Sequence, residues 1–166
     1  MLALSLSFAV ALLDQLSKYA IRSSLCLGHG REVIPGWFDL RYVQNTGAAW
    51  GVFEGLNHWL VPLSLAMLVV MARFRRHFMS GGRLPDLAAG LIGGGIVGNL
   101  LDRVRLGYVV DFLDFHWRGH AFPAFNLADA AICTGVGLYM LSELRGWNRP
   151  AAEPAAPNRT AKRGSS

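Results

Sequence analysis

The chain has 166 residues, of which 52% are hydrophobic and only 16% charged; its net charge is +5 and its mean hydropathy +0.31. A soluble domain carries roughly a quarter charged residues, so this balance argues against one and points to lipid as the solvent. Much of the basic excess sits in two clusters that flank apolar runs, a pattern of membrane topology rather than of a nucleic-acid partner.

A membrane-spanning helix needs about 20 mostly apolar residues. The first candidate runs from about Leu2 to Ile21. It lacks a positively charged leader, and Asp14 and Lys18 interrupt its distal half, so an uncleaved span fits better than a signal peptide. The segment from about Arg22 to Asn57 follows, and its stretch Arg31 to Val43 sets aromatic and β-branched residues around a Pro-Gly turn. Short strands are expected there. Trp37, Phe38, Trp50 and Phe53 suit a surface at the lipid interface. Further spans are expected at about His58 to Phe74, Leu87 to Leu106 and Leu127 to Leu144. Residues 1–146 then form one membrane domain, and the basic tail 147–166, rich in Pro, Ala and Arg, is expected to be disordered.

Lys and Arg set the orientation. The loop between the second and third spans carries Arg73, Arg75, Arg76 and Arg83, and the chain after the fourth span carries Arg145, Arg149, Arg159, Lys162 and Arg163. Both clusters fall on one side, so both termini are expected in the cytoplasm and the first and third loops outside it. Cys26 and Cys133 show no ligand spacing and are read as neither catalytic nor bridged.

Ionisable groups inside a span are expensive and by default suggest function. Asp14 and Lys18 share a helix face and can pair. Asn99, Asp102 and Arg103 fall in the same outer half of the third span. Asp111 lies just beyond it, Asn126 and Asp129 open the fourth span, and Asn45 belongs to the first outer loop. Any one pair can simply glue helices together, but the whole set at one depth suggests one cavity, because buried polar groups need partners. Gly90, Gly94 and Gly98, with Gly93 and Gly95, offer close helix packing beside it.

Two aspartates held close cannot both ionise easily. The ionised one can activate water as general base, and the protonated one can hydrogen-bond a peptide carbonyl. That is peptide hydrolysis without metal or cofactor. A Ser17–Lys18 nucleophile is weaker, because neighbours on a helix do not face each other. A metal set of Asp111, Asp114, His116 and His120 has no supporting signature. A small transporter is the remaining rival, but it favours charges spread through the membrane depth.

Five motifs in order resemble the lipoprotein signal peptidase family of aspartic peptidases: Asp14-Gln-Leu-Ser-Lys18, Asn45-Thr-Gly-Ala-Ala-Trp-Gly51, Gly94 to Arg103, Val109-Val-Asp-Phe112, and Phe125-Asn-Leu-Ala-Asp-Ala130. The resemblance spans nearly all of the chain except the tail. The implied fold is an all-α membrane protein of four transmembrane helices with a small extracytoplasmic β-rich cradle and a further short outer helix near Thr46 to Phe53. The implied reaction removes signal peptides from prolipoproteins by cutting before a diacylglyceryl-modified cysteine at the bacterial inner membrane. Asp111 and Asp129 are the implied dyad. Asp14, Lys18, Asn45, Gly47, Ala48, Asn99, Asp102, Arg103, Asn126 and Ala128 are the implied supporting residues. No metal or cofactor is implied. The partners are lipidated substrate and membrane lipids, and a monomer would suffice. Trp50 stands where the family often has Phe, and Asp114 lies outside the motifs as an expected polar loop residue.

Overall fold

The computed structural model describes residues 1–47, 56–75 and 82–147. Its elements, in chain order, are helix α1 (Leu2–Ser24), strands β1 (Gly30–Ile34) and β2 (Phe38–Asn45), helices α2 (Asn57–Arg73) and α3 (Arg83–Leu106), strands β3 (Val109–Trp117) and β4 (His120–Ala121), and helix α4 (Leu127–Trp147). Ala48, Trp50, Phe53, Arg76, most of the short helix expected near Thr46 to Phe53, and the tail beyond Trp147 lie outside the described residues.

Helices α3 and α4 are each long and apolar enough to cross a membrane. Helix α2 is apolar but has 17 residues, about 25 Å at 1.5 Å per residue. Helix α1 has 23 residues, and Asp14 and Lys18 interrupt its apolar run. Its outward stripe is nevertheless apolar, with Leu4, Phe8, Leu12, Leu16 and Tyr19 all exposed.

Helix α3 is the central element and packs against α1, α2 and α4. Glycine permits that approach. A methyl group added at Gly94 would come within 2.7 Å of the Ser7 carbonyl oxygen on α1. One added at Gly98 would come within 2.5 Å of Asp14 Oδ2 and 3.3 Å of the Ala128 Cβ. Small residues here let backbones meet without strain.

The strands form an antiparallel sheet in the order β1-β2-β3-β4. The first two occupy the segment expected to hold strands. The third and fourth are a difference: residues 109–121 are expected in the outer loop between the third and fourth spans, whereas they pair with β2, whose nearest register partner is more than sixty residues earlier, and with each other. The sheet sits on the C-terminal end of α1, where Ile21, Tyr42, Val110 and Phe112 form a buried apolar cluster. Stacked rings add to it, Phe38 on Phe115 at 4.6 Å and Trp37 on Trp117 at 5.7 Å.

Candidate active site

Two local features bring Asp111 and Asp129 together. The first is a bulge. Between the pairs Leu40–Leu113 and Val43–Asp111, β2 advances one residue more than β3. Bulges re-aim side chains beside functional sites. The second is the segment before α4. Phe125 exchanges backbone hydrogen bonds with Leu113, at 2.8 and 3.2 Å, and accepts another from Phe112. The chain is thereby held along β3, and its next residue, Asn126, arrives beside Asp111.

Asn126 then starts α4. Its Oδ1 accepts the Asp129 N–H at 3.0 Å, and its own N–H donates to Asp129 Oδ2 at 3.3 Å. This reciprocal pair is a capping box with Asp at the third position. The side-chain amide of Asn126 also donates to Asp111 Oδ1 at 2.7 Å and to Asn99 Oδ1 at 3.2 Å. Asn99 in turn donates to Asp129 Oδ1 at 2.7 Å. Asn45 lies diagonally across the β2–β3 ladder and donates to Asp111 Oδ2 at 2.9 Å. Both oxygens of each carboxylate thus receive an N–H, and two amides link one carboxylate to the other.

Burial, and then the charge of Asp129, push the Asp111 carboxyl up to about 6, while the donors Asn45 and Asn126 hold it from rising further. Asp111 and Asp129 face one cavity of about 480 Å³, whose other polar walls are Asn45, Asn99 and Arg103. Apolar side chains from Phe122 to Phe125 and from α4 complete it.

The supporting residues lie on the far side of Asn99. Lys18 Nζ donates to Asn99 Oδ1 at 2.9 Å and pairs with Asp14 at 2.9 Å and Asp102 at 3.1 Å, with all three charged groups buried. Asp14 Oδ1 accepts the N–H of Ala128 at 2.9 Å, satisfying a first-turn donor of α4. Arg103 Nη2 donates to the Gly47 carbonyl at 3.3 Å, and Gly47 N–H donates to Asn45 Oδ1 at 2.9 Å. Arg103 Nε is buried with no hydrogen-bond partner among the described residues. Every sequence-predicted site residue within the described set therefore joins this assembly.

Residues excluded on sequence grounds fall elsewhere. Asp114 is a strand residue, not a loop residue, and its carboxylate meets Arg41 at 3.6 Å. His116 and His120 are also on strands, and among the described residues no three His, Cys, Asp or Glu side chains gather as a metal-ligand set. Ser17 donates to the Asp14 carbonyl at 2.7 Å. Sequence reasoning missed Gln15, which donates to Asp102 at 2.8 Å and to the Gly98 carbonyl at 3.2 Å. Its signal was an amide inside an apolar run, next to Asp14. The cavity wall at Phe122 to Phe125 was also missed.

The chain is also similar to known proteins. The family model described as signal peptidase (SPase) II matches residues 6–145. A lipoprotein signal peptidase of Syntrophotalea carbinolica is 44% identical over 140 residues, covering 82% of this chain and 86% of that one. One of Symbiobacterium thermophilum is 39% identical over 141 residues, covering 85% and 93%. Two solved bacterial membrane enzymes share the fold. One has a TM-score of 0.84 at 29% identity over 93% of this chain and 94% of its own, the other 0.72 at 32% over 86% and 92%. A polar core built on four helices and a small sheet, and a family match over most of its length, make this chain a membrane peptidase of the signal peptidase II family.

Proposed function

We propose that the chain removes signal peptides from prolipoproteins, cutting before the diacylglyceryl-modified cysteine, with Asp111 and Asp129 as the hydrolytic pair. The observation that carries this reading is the shared cavity in which both carboxylates are fed by amide donors. One carboxyl keeps a proton, because like charges in a poorly solvated site repel. The ionised one takes a proton from water as the oxygen attacks the scissile carbonyl, and the protonated one hydrogen-bonds the developing oxyanion. Collapse of the tetrahedral intermediate passes a proton to the leaving cysteine nitrogen. Asn126, Asn99 and Asn45 orient the pair. Arg103 lines the same cavity and brings its positive charge beside the pair. No metal or cofactor enters the scheme, and one chain holds every group, so a monomer suffices.

The same reading takes all four helices across the bacterial inner membrane. The basic residues Arg73, Arg75 and Arg83 lie where α2 ends and α3 begins, opposite the end of α3 that bears Asp102. Basic loops stay in the cytoplasm, which puts both termini there and the dyad and sheet at the outer surface. The apolar stripe of α1 supports a lipid-facing helix despite its charged pair, which is turned inward and buried.

The test is cleavage of a lipidated prolipoprotein by purified protein in detergent. D111N and D129N are each expected to lower kcat by about 10²-fold or more while the protein still inserts. Full activity in either variant would overturn the assignment, and so would loss with EDTA that zinc restores.

A further inference from the structure

A second, smaller cavity opens on the other side of the Lys18 cluster. It has about 80 Å³ and is lined by Gln15, Lys18, Tyr19, Arg22, Asp102 and Arg105. Its volume suits a phosphate group and is too small for an acyl chain. Its charge is lopsided. The acid, Asp102, is already committed to Lys18, Gln15 and the Val110 N–H. Arg22 and Arg105 remain on the rim, both exposed. The Arg22 guanidinium lies near the Tyr42 hydroxyl, and no acid pairs with either arginine among the described residues.

Depth identifies the ligand. From Leu2 to Arg22 is about 30 Å along α1, and from Arg83 to Arg105 is about 33 Å along α3, each close to the thickness of the hydrocarbon core. The two arginines therefore stand at one level, at the headgroup boundary opposite the basic Arg73, Arg75 and Arg83 end. Tyr19 lies one turn nearer the bilayer centre, 71% exposed on the apolar stripe of α1, as aromatic residues do at such boundaries. Arginines at a translocated end run against the usual charge bias, and an anion at this level would answer them. We propose that this cavity takes the phosphate of an anionic phospholipid of the outer leaflet, whose acyl chains lie along α1 past Tyr19 and Leu16. The lipid would steady the ends of α1 and α3 that carry Lys18 and Asp102. The inference rests on the membrane orientation proposed above.

The experiment measures phosphatidylglycerol retained by the full chain after extraction from phosphatidylglycerol nanodiscs, by native mass spectrometry. Wild type is expected to retain the lipid, and R22Q/R105Q to retain about tenfold less or lower, while R22K/R105K retains most of it. Detergent cleavage of a prolipoprotein by R22Q/R105Q is expected to match wild type, which shows that the variant folds. Equal retention by wild type and R22Q/R105Q would overturn the site. Displacement of the lipid by millimolar glycerol phosphate would overturn the lipid assignment in favour of a free anion. A wild type that retains phosphatidylglycerol in an arginine-dependent way but cleaves no prolipoprotein would sink the peptidase reading and still support the lipid site.

Discussion

The N–H of Val110 donates to Asp102 Oδ2 at 3.0 Å, so the last turns of α3 grip β3 one residue before Asp111. The same carboxylate receives Gln15 at 2.8 Å and Lys18 at 3.1 Å. Asp102 thus fixes the strand that carries Asp111 to the helix that carries Lys18. D102A leaves Lys18 and a backbone N–H short of an acceptor in a buried setting. Removing one partner of a buried ion pair costs about 3–5 kcal/mol. D102A is therefore expected to lower the unfolding temperature in detergent and to depress kcat more than KM. D102N, whose amide oxygen can still accept from Val110, is expected to recover part of kcat but little of the stability. Unaltered unfolding and turnover in D102A would show that the grip does not position the strand.

Asp114 is the carboxylate most easily confused with the proposed dyad, since it follows Asp111 by three residues. An odd spacing on a strand puts the two on opposite faces, and Asp114 is spent on a half-exposed Arg41 at 3.6 Å. Ion pairs of that kind contribute less than about 1 kcal/mol. D114N is expected to keep near-wild-type cleavage and an unfolding temperature within a few degrees. A D114N enzyme as inactive as D111N would mean that the wrong carboxylate has been assigned.

The polar assembly was legible because amides and charges stand out against apolar runs: Asp14, Lys18, Asn99, Asp102, Asn126 and Asp129 each break a hydrophobic stretch. What they bond to was less so. The i,i+4 spacing gave the Asp14–Lys18 pair, but not the third partner Asp102, which is 84 residues beyond Lys18 and meets it only because glycines let α1 and α3 approach. The strand pairing of residues 109–117 was missed for the same reason. Its ladder is non-local, and nothing in the run itself says that β2 will lie beside it. Asn126 to Asp129 carried a capping-box spacing that explains why the pair sits where α4 begins.

Gly94 in α3 and Gly137 in α4 should behave oppositely. Gly94 has the Ser7 carbonyl 2.7 Å from where a methyl group would go, and backbone cannot step aside cheaply. Gly137 on α4 has nothing within 4 Å. G94A is expected to destabilise the protein by about 1–3 kcal/mol through overpacking. G137A is expected to be neutral or to gain up to about 1 kcal/mol of helix propensity. Thermal unfolding of the two variants in the same detergent checks this, and a G94A as stable as wild type would mean that α1 and α3 are not in the close contact described.

The raised Asp111 carboxyl carries a pH signature. Burial and the neighbouring Asp129 push it up to about 6 from an ordinary value of 3.8. The folded protein therefore binds this proton more tightly than the unfolded chain does. The stabilisation is fully present below about pH 4 and is lost as pH rises through about 6. A shift of that size corresponds to about 3 kcal/mol. The difference in unfolding free energy between wild type and D111N, which has no proton to lose, is expected to change across that window and to be flat above it. Asn45 donates to the ionised form and restrains the shift. N45A is expected to push the carboxyl higher, and so to move the alkaline limb of the kcat profile, where the pair loses its shared proton, to higher pH. A limb that stays in place in N45A would separate Asp111 from the titration that governs turnover.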